Sequence, residues 1–376
     1  MSRSFQRFRE VVEDRHRYAV EWKARGGGRV FGYMCTYVPE EILYAAGILP
    51  VRILGGHEPQ DVVEPHIHSM YCPFSRDVLG QALKGRYDYL DGVTVGHTCI
   101  HIQQAFESWQ FHTPASFSYL LYVPACLHSP HARSCFLEEV KIFKDALEEW
   151  LGHTIPPEKL ERATEVYNRN RRLLHQLYEI RRQDDPPVSG SMAMEATLAS
   201  MFMDKEEHSR LMEDALREIG RESNGRFPGM RLMLVGGEND DIEFVRLVES
   251  LGAAVVIDDL CTGSRYFWQE VVTGADPLAA IADRYIDAPP CPTKELEERR
   301  RLEHIAKLFS DYRAQGAILV HQKFCDPHQI DLPAIQAYFQ ERHIPTLHLE
   351  FDMTTPVGQF RTRIEAFLEM VQLEIL

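Results

Sequence analysis

The sequence predicts an α/β protein: two doubly wound parallel-sheet domains with a helical connector. Three observations carry this reading. Short apolar runs alternate with helix-periodic segments over the first 133 residues. The same alternation returns after residue 226, and the stretch between is helical. Strands alternating with helices imply parallel pairing through crossover helices. The expected boundaries are therefore 1–133, 134–225 and 226–376. At 376 residues the chain is long enough for two or three domains, each with a sizeable core. No period of 20–50 residues is present, which excludes repeat architectures.

In order, the charged N-terminal segment reads as helix, and Val30 to Met34 as a short strand. EEILYAAG reads as a helix ended by Gly47, and ILPVRIL as the next strand. Residues 75–84 repeat apolar positions at helical spacing and stop at Gly85. DGVTVG, from Asp91, is a buried strand, IHIQQAFESW a helix, and SYLLYV, from Ser118, a strand. Residues 134–182 are helical, broken at Gly152 and at Pro156-Pro157, and their arginine run reads as a solvated face. The methionines of MAMEATLASMFM read as core. The second block supplies a strand from Arg231, the helix DIEFVRLVESLG, the strand AAVVIDD and one long helix from Lys294. The strand AILVH, a helix from Leu332, the strand TLHLEF and a last helix from Arg361 complete it. The GGEND turn after the strand at Arg231 lacks both G-x-G-x-x-G and a P-loop lysine, so it reads as a turn rather than a phosphate loop.

Composition narrows the function. Lys plus Arg total 41 against 56 for Asp plus Glu, a net charge of −15. So acidic a surface disfavours nucleic acid and anionic membranes as partners. No signal-peptide pattern and no run of 18 apolar residues is visible, so a cytoplasmic location is expected. Eight cysteines spread over a chain of this size point to thiols in a metal or redox site plus inert buried ones, not to disulfides.

Ligands of open parallel sheets bind outside the carboxyl ends of the strands. Cys35, Cys99, Cys261 and Cys325 fall at or near such ends, and Cys72 at a helix start ahead of Pro73. Helix N-termini favour thiolates and anionic clusters. Cys72, Cys99 and Cys325 are thus a candidate ligand set. Their separations are not the compact spacings of zinc knuckles or bacterial ferredoxins. Spacing alone leaves three readings open: a cysteine-ligated site, plain buried thiols, or a reactive thiol.

The motifs go further. GYMCTYVPEEILYAAGILPVRILGG, YCPFSRDVLGQALKGRYDYLDGVTVGHTC, HQKFCDPHQIDLPAIQAYFQERHIPTLHLEFD and RTRIEAFLEM occur in order. Together they resemble the 2-hydroxyacyl-CoA dehydratase and benzoyl-CoA reductase superfamily over nearly the whole chain. The resemblance implies that Cys72, Cys99 and Cys325 ligate a [4Fe-4S] cluster, with one iron left a non-cysteine position. It also implies pairing with a homologous cluster-bearing subunit in a heterodimer. Electrons would come from ferredoxin through a separate iron–sulfur ATPase, so ATP acts only through that partner. Cys72-Pro-Phe and Ile100-His101 after Cys99 look closer to the C subunit of ATP-dependent benzoyl-CoA reductase, which dearomatises benzoyl-CoA to a cyclic diene. A 2-hydroxyacyl-CoA dehydratase subunit working through a ketyl radical is the alternative. An electron-transfer or scaffold subunit, and a zinc or thiol protein of similar fold, are further alternatives.

Such chemistry needs a proton donor within reach of the substrate. His97, His101 and His328 flank the proposed ligands and are the candidates; each is also readable as an ordinary loop-edge residue. Cys35 is readable as a buried structural thiol or as a thiol standing behind the ligands, and Cys126, Cys135 and Cys291 as non-ligands. Cys261 stays open, because its strand end could point into the same crevice. Glu40 and Glu41 are readable as a carboxylate pair or as acids favouring a helix N-terminus. Glu350 and Asp352 end a strand and could line the cleft.

Overall fold

The computed structural model describes residues 3–26, 28–59, 61–219, 227–295, 299–352 and 357–375. Helices α1 (Arg3–Glu13) and α2 (Arg15–Gly26) lead into β1 (Arg29–Met34). They are followed by α3 (Glu40–Ala45), β2 (Ile48–Arg52), α4 (Pro73–Leu83), β3 (Gly92–Gly96), α5 (Ile100–His112) and β4 (Phe117–Leu121). Between the two strand blocks lie α6 (Ala132–Leu151), α7 (Pro157–Ile180), α8 (Gly190–Ser200) and α9 (Lys205–Ile219). Then come β5 (Met230–Gly236), α10 (Ile242–Ser250), β6 (Ala253–Asp259), α11 (Ser264–Phe267), α12 (Pro277–Asp287), α13 (Arg300–Asp311), β7 (Gly316–Gln322), α14 (Asp326–Gln340), β8 (Thr346–Phe351) and α15 (Val357–Ile375).

The two four-stranded sheets are all-parallel and share one topology, β2-β1-β3-β4 and β6-β5-β7-β8. In each, the chain steps outward once, then returns across the first strand. The switch points therefore lie between β1 and β3 and between β5 and β7, where crevices open at the carboxyl ends. β1, β2 and β3 are buried almost throughout, as parallel strands covered on both faces should be. Gly92 is required in β3: a Cβ there would lie 2.3 Å from the ring of Phe31, its register partner on β1.

Local chemistry sets the helix ends. Ser189, Asp241 and Asp276 cap α8, α10 and α12 through side-chain oxygens that accept backbone N–H groups. Gly152 ends α6 in the left-handed conformation, at φ 74°. α8 is buried along its whole length, and Met194, Met201 and Met203 are core residues.

Three expectations need correction. The arginine run of α7 is not uniformly solvated. Arg162, Arg169 and Arg172 pair with surface glutamates, but Arg171 and, just past the helix, Arg181 are buried. The helix expected from Lys294 starts only at Arg300, behind Arg299 in a left-handed conformation at φ 51°. Lys294 is instead drawn into the interior, donating to the carbonyls of His97 and Val123; residues 296–298 of that segment lie outside those described. Finally, α14 begins at Asp326 and runs through Pro333, so the start expected at Leu332 falls inside the helix.

Glu40 and Glu41 are fully buried, which their helix-start position does not foretell. Glu41 accepts from Arg171 and from the Tyr285 hydroxyl; Glu40 accepts from the Tyr266 hydroxyl and lies 3.7 Å from Lys205 Nζ. Arg171 holds the Glu41 carboxyl below its usual range despite burial. This network ties α3 to α7 and to the helices after β6.

Candidate metal centre

The two crevices meet in one cavity of about 100 Å³. It draws on the carboxyl ends of the four switch-point strands: Cys35 after β1, Thr98 and Cys99 after β3, Gly237 and Glu238 after β5, Gln322 and Cys325 after β7. Cys72, Cys261 and Cys291 complete a wall containing six of the eight cysteines. None of the six is in a disulfide. Cys126 and Cys135 do not line it.

The three expected ligands share a local design. Cys72, Cys99 and Cys325 are the N-cap residues of α4, α5 and α14, and none makes a capping hydrogen bond with its side chain. The backbone N–H three residues on, at Ser75, Ile102 and His328 respectively, lies near enough to favour each thiolate. Three helix N-termini, two from the first domain and one from the second, thus aim their positive ends at one space. Burial dominates the thiols' acidity, pushing all three up; the neighbouring thiols add to this at Cys99 and Cys325. Metal binding displaces those protons. Two residues at the wall adopt left-handed backbones, Cys35 at φ 82° and Phe324, just before Cys325, at φ 61°. Such a conformation costs roughly 1–2 kcal/mol in a non-glycine residue and clusters at functional sites.

Among the described residues, no three His, Cys, Asp or Glu side chains are grouped closely enough to hold one metal ion. A single tetrahedral ion needs thiolates roughly 3.8 Å apart. The thiol-rich, largely apolar lining, with Glu238 and His328 as further candidate donors, has the chemistry of a site for a soft metal or an iron–sulfur group.

The histidines separate. His328 lines the cavity, and burial holds its imidazole neutral, well below the usual range. Its ring packs under Gly237, where a Cβ would come within 2.7 Å of Nε2. His101 stands behind the wall: Nδ1 accepts the backbone N–H of Cys72 at 3.0 Å, and Nε2 lies 3.3 Å from Asp326. It joins the residues that carry two of the thiols. His97 does not line the cavity; it stacks on Tyr122 at 5.0 Å. Asp352 lies in a neighbouring pocket with His57 and Asp240, and Glu350 is exposed against His321.

Sequence reasoning missed Glu238, Arg52 and Cys291. Glu238 comes from the GGEND turn, and burial with the neighbouring Asp240 keeps its carboxyl protonated well above the usual range. Arg52 ends β2, 3% exposed, with its Nε and Nη1 unpartnered. No helix long and apolar enough to cross a membrane occurs among the described residues.

Comparison with known proteins agrees with the motifs. Residues 35–371 match the family described as 2-hydroxyglutaryl-CoA dehydratase, D-component. The chain is 25% identical to the (R)-phenyllactyl-CoA dehydratase beta subunit of Clostridium sporogenes, covering 97% of this chain and 98% of that protein. It is 24% identical to the C subunit of benzoyl-CoA reductase from Thauera aromatica, over 89% and 88%. It is 26% identical to the lactoyl-CoA dehydratase beta subunit of Anaerotignum propionicum, over 93% and 94%.

Proposed function

The chain belongs to the family of the 2-hydroxyglutaryl-CoA dehydratase D-component, and from that premise we propose that it is the [4Fe-4S]-bearing, electron-delivering subunit of an acyl-CoA reductase or dehydratase complex. One observation carries the reading: Cys72, Cys99 and Cys325, each at an uncapped helix N-terminus, meet in one buried cavity. When bound, the cluster supplies electrons singly at low potential. The helix N-termini offset its negative charge, and the apolar wall excludes water.

Electron delivery is favoured over direct work on the acyl group by size. Small-molecule sites typically occupy about 300–1,000 Å³, and this cavity offers about 100 Å³ before any cluster is placed. The acyl-CoA is therefore assigned to a homologous partner subunit, with reduced ferredoxin and an iron–sulfur ATPase upstream. Benzoyl-CoA is the preferred substrate of that complex, on the Cys72-Pro-Phe and Cys99-Ile-His motifs. The relatives, at nearly equal identity, include dehydratases as well, so dehydration of a 2-hydroxyacyl-CoA is the competing reaction.

The test is iron and acid-labile sulfide analysis of the chain, co-expressed with its partners and then separated from them without oxygen. At least about four of each per chain is expected, falling in Cys72→Ser, Cys99→Ser and Cys325→Ser. Zinc alone, or no metal, refutes the reading. Incubating the complex with ATP, reduced ferredoxin and either benzoyl-CoA or a 2-hydroxyacyl-CoA then decides the reaction. A substrate-induced change in this chain's cluster spectrum, with none in its partner's, would refute the electron-delivery role.

A further inference from the structure

The three expected ligands use only half of the thiols in the cavity wall. Cys35 follows β1 directly, Cys261 follows β6, and Cys291 comes from the segment between α12 and α13. They are free thiols, and they come from beside both sheets. Cys35 follows a strand of the first sheet and Cys261 one of the second, while Cys291 packs against the core beside the first sheet.

Their surroundings differ from those of the first set in a way that points the same direction. No helix N-terminus serves them. Instead, three cations buried to 95% or more are within electrostatic reach: Arg52, which lines the cavity, and Arg265 and Lys294 behind the wall, 3%, 5% and 2% exposed respectively. Arg52 interacts electrostatically with Cys35 and Cys261, Arg265 with Cys261 and Cys291, and Lys294 with Cys35 and Cys291 and, more weakly, with Cys99. Each thiol thus faces two of the three cations. Arg265 also has Asp259 as a counter-ion, and the Lys294 ammonium is met by two carbonyls. Arg52 has no hydrogen-bonded counter-ion on its cavity side: Nε and Nη1 are buried without partners, and Glu238, though near enough to interact electrostatically, makes no hydrogen bond to it. A desolvated guanidinium is costly without an anion beside it. Neutral thiols provide no negative charge, whereas thiolates holding an iron–sulfur group do.

We propose that Cys35, Cys261 and Cys291 hold a second iron–sulfur unit in the same cavity, beside the one held by Cys72, Cys99 and Cys325. The inference rests on the iron–sulfur reading above and extends it. Binding releases the three thiol protons. Two adjacent units give the subunit storage for two electrons, the number that reduction of an aromatic ring to a diene consumes.

The test uses the chain co-expressed with its partners and then separated from them without oxygen, so that only its own iron is counted. About eight iron and eight sulfide per chain are expected. The triple variant Cys35→Ser/Cys261→Ser/Cys291→Ser should retain about four of each, and Cys126→Ser, outside the cavity, should retain all. About four iron in the wild type overturns the proposal while leaving the single-cluster reading intact. About eight iron persisting in the triple variant overturns the assignment to these residues. No iron overturns both readings. Because the wild-type count is informative by itself, a triple variant that fails to fold does not shield the proposal.

Discussion

The imidazole of His101 accepts the backbone N–H of Cys72 at 3.0 Å while its other nitrogen faces Asp326, the neighbour of Cys325. One side chain thereby fixes two proposed ligands from different domains. His101→Ala leaves the buried Cys72 N–H without an acceptor and severs the link. Stability should fall by about 1–3 kcal/mol, and iron content should fall more than in His97→Ala, because His97 lies off the cavity wall. Equal iron in the two variants would show that His101 positions nothing.

Glu41 and Arg171 form a buried pair in the core beside α3. Glu41→Gln strands the Arg171 charge and should cost about 3–5 kcal/mol. Arg171→Met in the same chain should recover most of that loss, since an apolar replacement removes the unpaired charge. Denaturant unfolding of the three variants reads both effects; absence of recovery would mean that Tyr285 or Arg284, not the pair, dominates this network.

His208 is wholly buried, donating from Nε2 to the Ala196 carbonyl and accepting from Asn170 at Nδ1. Burial, with Lys205 nearby, lowers its pKa to about 3. The unfolded chain therefore takes up this proton first. The contribution of His208 is fully present above about pH 6.5 and is lost progressively as pH falls toward about 3. His208→Gln should flatten the decline of unfolding free energy between about pH 6.5 and 4. An unchanged slope would place the acid sensitivity elsewhere.

Gly237 admits the His328 ring against the cavity wall. Gly237→Ala forces a Cβ to within 2.7 Å of Nε2, so the imidazole must shift. The expected cost is about 1–3 kcal/mol, with a lower metal content. Normal iron together with normal stability would show that the wall yields freely at this point.

Much of the fold was legible because periodicity is local. β1, β3 and β7 read as short apolar runs, and α4 and α5 as helical spacing after a cysteine. The same logic placed Cys72 at a helix start and Cys99 and Cys325 at strand-to-helix junctions; the structure makes all three helix N-caps, although the helix after Cys325 begins earlier than the Leu332 expected. Cys291 was illegible because it follows Pro289-Pro290, with no strand before it to mark a crevice. Its hydrogen bond to Tyr37, far away in sequence, ties it to the wall. Arg52 looked like an ordinary strand terminus, and Glu41 like an acid near a helix start. Their burial depends on what other segments pack over them, which no local pattern reports. His101 was singled out as a candidate proton donor; the structure gives its Nδ1 an acceptor's place behind the wall.

The cavity at the seam of two like-folded halves also orders events in the life of the chain. Cys35 and Cys99 leave the ribosome long before Cys325, and α14 positions Cys325 only after β7 has joined its sheet. A metal group held by both halves can be inserted only once synthesis has passed that point and the halves have met. Until then the early thiols stand unprotected, and a chain cut short before α14 is left without a finished site.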